Sequence, residues 1–525
     1  MLPILPFRRG LMPFALCFLL AACGGGGNDN GGGGGSGSGS SSGGSIGDPG
    51  AYAYARALDY LSVIQHSASF DECLAPNPSI SPYLCLRGPR SGTGLGGAVH
   101  QWMQQQLSAI PQLQYQQVQK FSFPRFVPKG YSLSVDQGNG SSFAPAVFPW
   151  YYQGSTGAAG IDAPLADAGD GGTLALLTAG NLSGKIVLLQ MKLTFQAGDN
   201  SAQDTLDAIA AKGAAGAIVT FDGAGNGPDN QVVLQSYDIT RGTNGKLPTL
   251  LVGRDDGATL KSLKGQTAHL VVNATQATGS VTNEVAMLPG ADKHNILVIG
   301  TPLNGWATVG GERGPGVGIF LYLAQYLAHK ASQAPLPYTV YFVATGGHDV
   351  YASGLEQFLA CIPSERIVAY VHLGAGLVYQ GYNNNLLTGG VEKSNRLSQT
   401  RVLSISDNSP LQKLANASFS DPAIQPFFTL PPSVFIPGED QIAYDKGIPT
   451  VGMSGSNAYF HTVGDDETQI VQSAMAPMTQ AWQDLVDGLM QLDADTLRAD
   501  NTPTQTDASG VSCPASLSGL AALGS

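Results

Sequence analysis

From residue 293 onward the chain alternates short apolar runs with segments of helical composition, and this alternation constrains its fold more than any other feature. The runs at 296–300, 338–343, 367–373 and 450–453 read as strands, and helical stretches follow at 315–331, 355–361 and 468–492. Strands that alternate with helices build a mostly parallel sheet covered on both faces. The expected fold class is therefore α/β, with a mixed, mostly parallel sheet wrapped by helices. The strand 338–343 runs into V-A-T-G-G-H-D, so His348 and Asp349 sit where a strand ends and a helix begins. Ligands gather at that place in open α/β sheets. A His-Asp pair there reads as a metal ligand or proton carrier, or as a capped helix start with a surface histidine.

The N-terminus carries Arg8 and Arg9, then an apolar run from Leu11 to Ala22 broken only by Pro13, then Cys23. Residues 1–22 read as a signal peptide, too short to span a bilayer stably. Leu20-Ala21-Ala22-Cys23 resembles a bacterial lipobox, which implies a lipid-modified Cys23 on an exported protein. Gly24 after that cysteine implies the outer membrane. Residues 23–48 read as a tether whose stretch Gly24–Ser45 is almost all Gly and Ser, a flexible coil spanning roughly 25 Å. The two arginines leave with the signal, taking the net charge from −12 to −14. An acidic surface disfavours nucleic acid and anionic lipid headgroups as partners, so membrane contact is expected through the lipid alone.

Four further cysteines remain: Cys73, Cys85, Cys361 and Cys513. An even count in an oxidising compartment reads as disulfides. Cys73 with Cys85 would close a short loop, and Cys361 with Cys513 would pin the C-terminal tail. Other pairings stay open.

Residues 49–130 hold helical patterns at 52–67 and 97–110 and an alternating strand at 114–123. Residues 131–285 change character, with short strands and many Gly, Asp and Asn. There G-K-I-V-L precedes a helix at 204–212, then K-G-A-A-G-A-I-V, then L-P-T-L-L-V. That order resembles a protease-associated (PA) domain, a non-catalytic insertion beside a peptidase cleft. Residues 286–495 would complete the main domain, and 496–525 form a polar tail.

Four loops carry distinctive residues in order: T-P-L-N-G-W (301–306), G-G-E-R-G-P-G (310–316), G-G-H-D (346–349) and Y-F-H-T-V-G-D-D (459–466). The series resembles the zinc aminopeptidase and glutaminyl cyclase superfamily over about residues 50–130 and 286–495. The resemblance implies a zinc exopeptidase-like fold with metals at the carboxyl ends of the strands. Taken position by position, Pro302 stands where the family has a histidine ligand, and Gly374 where it has a carboxylate. Both belong to the second metal. Glu312, Asp349 and His461 stand at the three positions of the first, which would leave one zinc ion or none. His348 falls at the general-base position and could accept a proton near neutral pH.

His372 lies two residues from Gly374 on the same strand face, beside the vacated second position. Glu439, in P-G-E-D, falls where members place a polar substrate-side residue, or it is a solvated loop carboxylate. Glu312-Arg313 also reads as an ion pair at a helix start, and Asp349 as a helix cap. Two functions follow: a single-metal hydrolase of peptide or amide bonds, or a catalytically degenerate lipoprotein that binds peptide or protein.

Overall fold

The computed structural model describes residues 47–66, 88–170, 182–192, 201–222, 230–234, 236, 245–384, 391–434, 438–499 and 513. The signal segment, Cys23, the tether and the Cys73 and Cys85 loop lie outside these residues. Among the described residues no helix is long and apolar enough to cross a membrane.

The α/β fold is built on one 14-stranded sheet. Its centre is four neighbouring parallel strands: Thr450–Ser454, Ile367–Leu373, Gly290–Pro302 and Leu336–Thr345. Their sequences are near-continuous apolar runs because both faces are covered; every residue of Ile367–Leu373 is buried. Parallel strands bring their carboxyl ends to one edge. The register sets His372 beside Gly300 and Gly452, and Thr345 beside Pro302. The loops that follow these strands therefore open side by side.

The long helix Gly310–Gln333 starts five residues earlier than the sequence suggests and carries Pro315 inside it. Proline favours the first helical turn, which is why 315 reads as the start. Here a carboxylate from far along the chain provides the missing cap: Asp465 accepts from Gly311 N at 2.9 Å and Glu312 N at 3.1 Å. The closing helix is shorter than expected, Met475–Leu489, preceded by 3₁₀ turns at Glu467–Gln469 and Gln472–Ala474.

The strand expected at 114–123 continues to Asp136 and pairs along its length with Thr267–Leu288. Pro124 and Pro128 are tolerated there because this strand pairs on one side over that stretch. The expected boundaries at 130/131 and 285/286 thus fall inside paired strands. Thr267–Leu288 joins Leu336–Thr345 through its C-terminal half and Ile161–Asp170 through its N-terminal half. From there the sheet continues through the parallel strands Ile186–Lys192, Gly216–Asp222 and Thr249–Val252. These strands share an apolar core that includes Trp150, Leu206 and Leu260, and Trp306 from the loop after Gly290–Pro302 is buried in it. Cys513 in the C-terminal tail forms a disulfide with Cys361, with Cα atoms 5.5 Å apart.

Candidate functional site

The turn 346–349 is fixed before its side chains can do anything. Gly347 has φ +74°, a left-handed conformation that favours glycine. Its N–H faces two acceptors, Asn304 Oδ1 at 2.9 Å and Ser91 Oγ at 3.0 Å, while Gly346 N donates to Asn283 Oδ1 at 3.0 Å. A side chain at Gly354 would strike the Gly346 carbonyl at 1.9 Å, so the turn and the next helix touch backbone to backbone.

Glu312 lies in the first turn of the long helix, 1% exposed. Its Oε1 is 2.8 Å from Arg313 Nη2 and 3.9 Å from His461 Nε2. The guanidinium approaches off the hydrogen-bond axis, so neither Glu312 oxygen has a hydrogen-bond partner among the described residues. Burial pushes this carboxyl up, Arg313 opposes that, and Asp349 adds to it. Arg313 itself is 2% exposed and donates from Nε to the Asn304 carbonyl at 3.0 Å.

His461 has φ +62°, a strained conformation for a residue with a side chain. Two contacts to Leu234 hold it. Leu234 N donates to the His461 carbonyl at 2.9 Å, and His461 Nδ1 lies 3.2 Å from the Leu234 carbonyl. A carbonyl only accepts, so Nδ1 carries the hydrogen and Nε2 turns toward Glu312. Burial, with Arg313 adding, holds the His461 imidazole down to about 3.

Asp349 does not complete this pair. It accepts from Ser91 N at 3.0 Å through one oxygen and from Ser91 Oγ through the other. Nor does it cap the helix Ser353–Leu359, whose first turn has no side-chain cap. Burial pushes its carboxyl up, and the two Ser91 bonds oppose this. Among the described residues no group of three or more His, Cys, Asp or Glu side chains is placed to hold a metal ion. Glu312 and His461 face each other as two ligands could. Asp349 is engaged elsewhere and a guanidinium stands beside Glu312, so the residues do not make up a three-ligand zinc site.

A second cluster adjoins the first. His348 Nδ1 lies 3.3 Å from Glu439 Oε1, with 24% of the histidine side chain exposed. Burial, with Arg313 adding, holds the His348 imidazole well below its ordinary value. Glu439 is not a solvated loop carboxylate: it is 0% exposed and opens the helix Glu439–Asp445. The Thr345 hydroxyl reaches both its oxygens, at 2.8 and 2.7 Å, and Tyr370 donates to it as well. Burial pushes Glu439 up, while His372, Thr345 and Arg313 oppose this. The His372 ring lies over Gly374. A Cβ at 374 would come within 2.6 Å of His372 Nε2 and 2.5 Å of the Met453 carbonyl, so a carboxylate there has no room. Tyr370 in turn lies over Gly300 and reaches His372 Nδ1 at 3.4 Å.

Several further residues matter to the site. Ser91 and Asn304 fix the turn, Thr345 and Tyr370 hold Glu439, and Asp465 caps the helix bearing Glu312. Two carried a signal: Asn304 stands in T-P-L-N-G-W where the family has an aspartate, and Asp465 closes the H-T-V-G-D run. Arg313 was visible beside Glu312, but not its place among five ionisable groups.

No known family profile matches this chain, and no curated protein matches it. Solved structures do. BSAP, a zinc aminopeptidase from Bacillus subtilis, matches with a TM-score of 0.59 at 14% identity, covering 85% of this chain and 95% of that one. A peptidase M28 precursor from Shewanella amazonensis SB2B matches at 0.56 and 16% identity, covering 85% and 98%. The aminopeptidase from Aneurinibacillus sp. strain AM-1 matches at 0.52 and 16% identity, covering 87% and 97%. The chain therefore shares its α/β fold, with its large mixed sheet, with zinc aminopeptidases.

Proposed function

We propose that this is a lipid-anchored, metallopeptidase-like protein that binds peptide or protein segments and does not hydrolyse them. One observation carries the reading: among the described residues no three His, Cys, Asp or Glu side chains are placed to hold a metal ion, and Asp349 is held by Ser91. The names of the similar structures, aminopeptidases and a peptidase, support peptides as the ligand class. The order of short strands within 131–285, which resembles a PA domain, supports an insertion that borders the cleft. The lipobox-like Leu20-Ala21-Ala22-Cys23 and the tether after it support anchoring at the outer membrane.

The test is metal content and hydrolysis of aminoacyl 4-nitroanilides by the purified chain, with and without added zinc or manganese. Expected are no stoichiometric metal, no turnover, and saturable binding of fluorescently labelled peptides. A second reading, a single-metal hydrolase with His348 as proton acceptor, draws on the Glu312 oxygens, which have no hydrogen-bond partner among the described residues and of which Oε1 lies 3.9 Å from His461. It requires Asp349 to converge with Glu312 and His461 on one ion. One equivalent of zinc and turnover that vanishes in His461→Ala would establish it in place of the first.

A further inference from the structure

We propose that the Arg313 guanidinium is the resident cation of this cleft and takes the electrostatic part that a metal ion plays in a zinc site. This rests on the reading above in one respect, that the cleft is complete without metal. The geometry begins with crowding. Glu312, Asp349 and Asp465 are all buried, and Glu312 is acted on by Asp349 and itself acts on Asp465. Buried carboxylates that repel one another need a positive charge among them or must take up protons.

Arg313 is the cation beside Glu312, as Arg90 is the one that acts on Asp349. It is 2% exposed, its Nη2 is 2.8 Å from Glu312 Oε1, and its Nε is tied to the Asn304 carbonyl at 3.0 Å. It is thus held, away from solvent, between Glu312 and the Asn304 carbonyl. Guanidinium is weakly hydrated and keeps its charge, which suits it to a buried ion pair. The field of this one group reaches both halves of the site. It favours the charged forms of Glu312 and Glu439 and the neutral forms of His348, His372 and His461. A divalent ion entering between Glu312 and His461 would meet this fixed charge at close range, where little water screens it. The same arginine that balances Glu312 therefore opposes a metal between Glu312 and His461.

The test uses the purified full chain, with melting temperature and calorimetric zinc titration as readouts. The wild type should melt alike in chelator and in zinc and show no zinc binding at this site. Arg313→Met should lower the melting temperature by several degrees, because Glu312 is left buried without its counter-charge. Glu312→Gln added to Arg313→Met should recover most of that loss. Arg313→Met alone should gain a zinc-dependent rise in melting temperature that His461→Ala removes. Arg313→Lys, which keeps the charge, guards against a variant that fails to fold; it should stay folded and indifferent to zinc.

The proposal is overturned if the wild type binds one equivalent of zinc in a manner that His461→Ala abolishes, or if Arg313→Met melts like the wild type. The two readings fail separately. Peptide hydrolysis that persists in chelator overturns the binding reading and supports a cleft that works without metal.

Discussion

His372 is 1% exposed, and burial holds its imidazole down to about 3 from an ordinary 6.5, with Glu439 opposing. In the unfolded chain it takes up a proton below 6.5; in the folded chain it does not until about 3. Between these values the unfolded state binds more protons, so this residue makes stability rise with pH. Asp440 acts in the opposite sense: burial raises its carboxyl from 3.8 to about 6, so its contribution falls as pH rises through that window. The two overlap, and only a difference measurement separates them. In urea titrations at pH 4, 5 and 6, His372→Gln should lose stability relative to the wild type by a margin that grows by about 1.4 kcal/mol per pH unit. A margin that does not change with pH would mean that His372 is protonated in the folded protein. At this scale the sequence is readable only where partners are close in the chain. Glu312 and Arg313 are neighbours and could be paired on sight, whereas the Asp349–Ser91 contact spans 258 residues and has no local signature.

The long helix shows the same limit among elements. Its interior was legible from composition, but its start was not, because the cap comes from Asp465 across more than a hundred residues. Asp465 also accepts from Tyr379 OH at 2.7 Å, and Gly310 N donates to its backbone carbonyl at 2.6 Å. A carboxylate at a helix N-terminus satisfies donors that have no intrahelical partner and meets the positive end of the helix dipole. Asp465→Ala should cost about 2–4 kcal/mol by chemical denaturation, a lost cap plus a buried tyrosine hydroxyl left without its acceptor. Asp465→Asn keeps an acceptor in place and should cost less. Equal losses in the two variants would mean that cavity and packing changes outweigh the capping bonds.

For the whole molecule, the alternation of strand and helix after residue 293 was sufficient to specify an α/β sheet with its loops gathered at one edge. The manner in which 131–285 joins that sheet was not legible. Pro124, Pro128 and Gly130 look like breaks, yet they lie in a strand paired along its length with Thr267–Leu288. Trp306 strengthens the connection. It belongs to the loop after Gly290–Pro302 but is 7% exposed within the core of the neighbouring strands. There its ring meets Tyr151 at 5.3 Å, and its backbone carbonyl accepts from Arg90 Nη1 at 2.8 Å. Arg90 is the residue before Ser91, so Trp306 links the core of the neighbouring strands, through its ring, to the loop that holds Asp349, through its backbone carbonyl. Trp306→Ala keeps the Arg90 bond, which uses the backbone, and removes the ring. It should destabilise by about 3–5 kcal/mol, as a large buried aromatic does. Because the sheet is continuous, the loss should appear as a shift of one cooperative thermal transition followed at once by far- and near-ultraviolet circular dichroism. If the variant instead splits into two transitions, with one at the wild-type temperature, the strands around Trp150 and Leu206 melt independently and the shared sheet does not couple them.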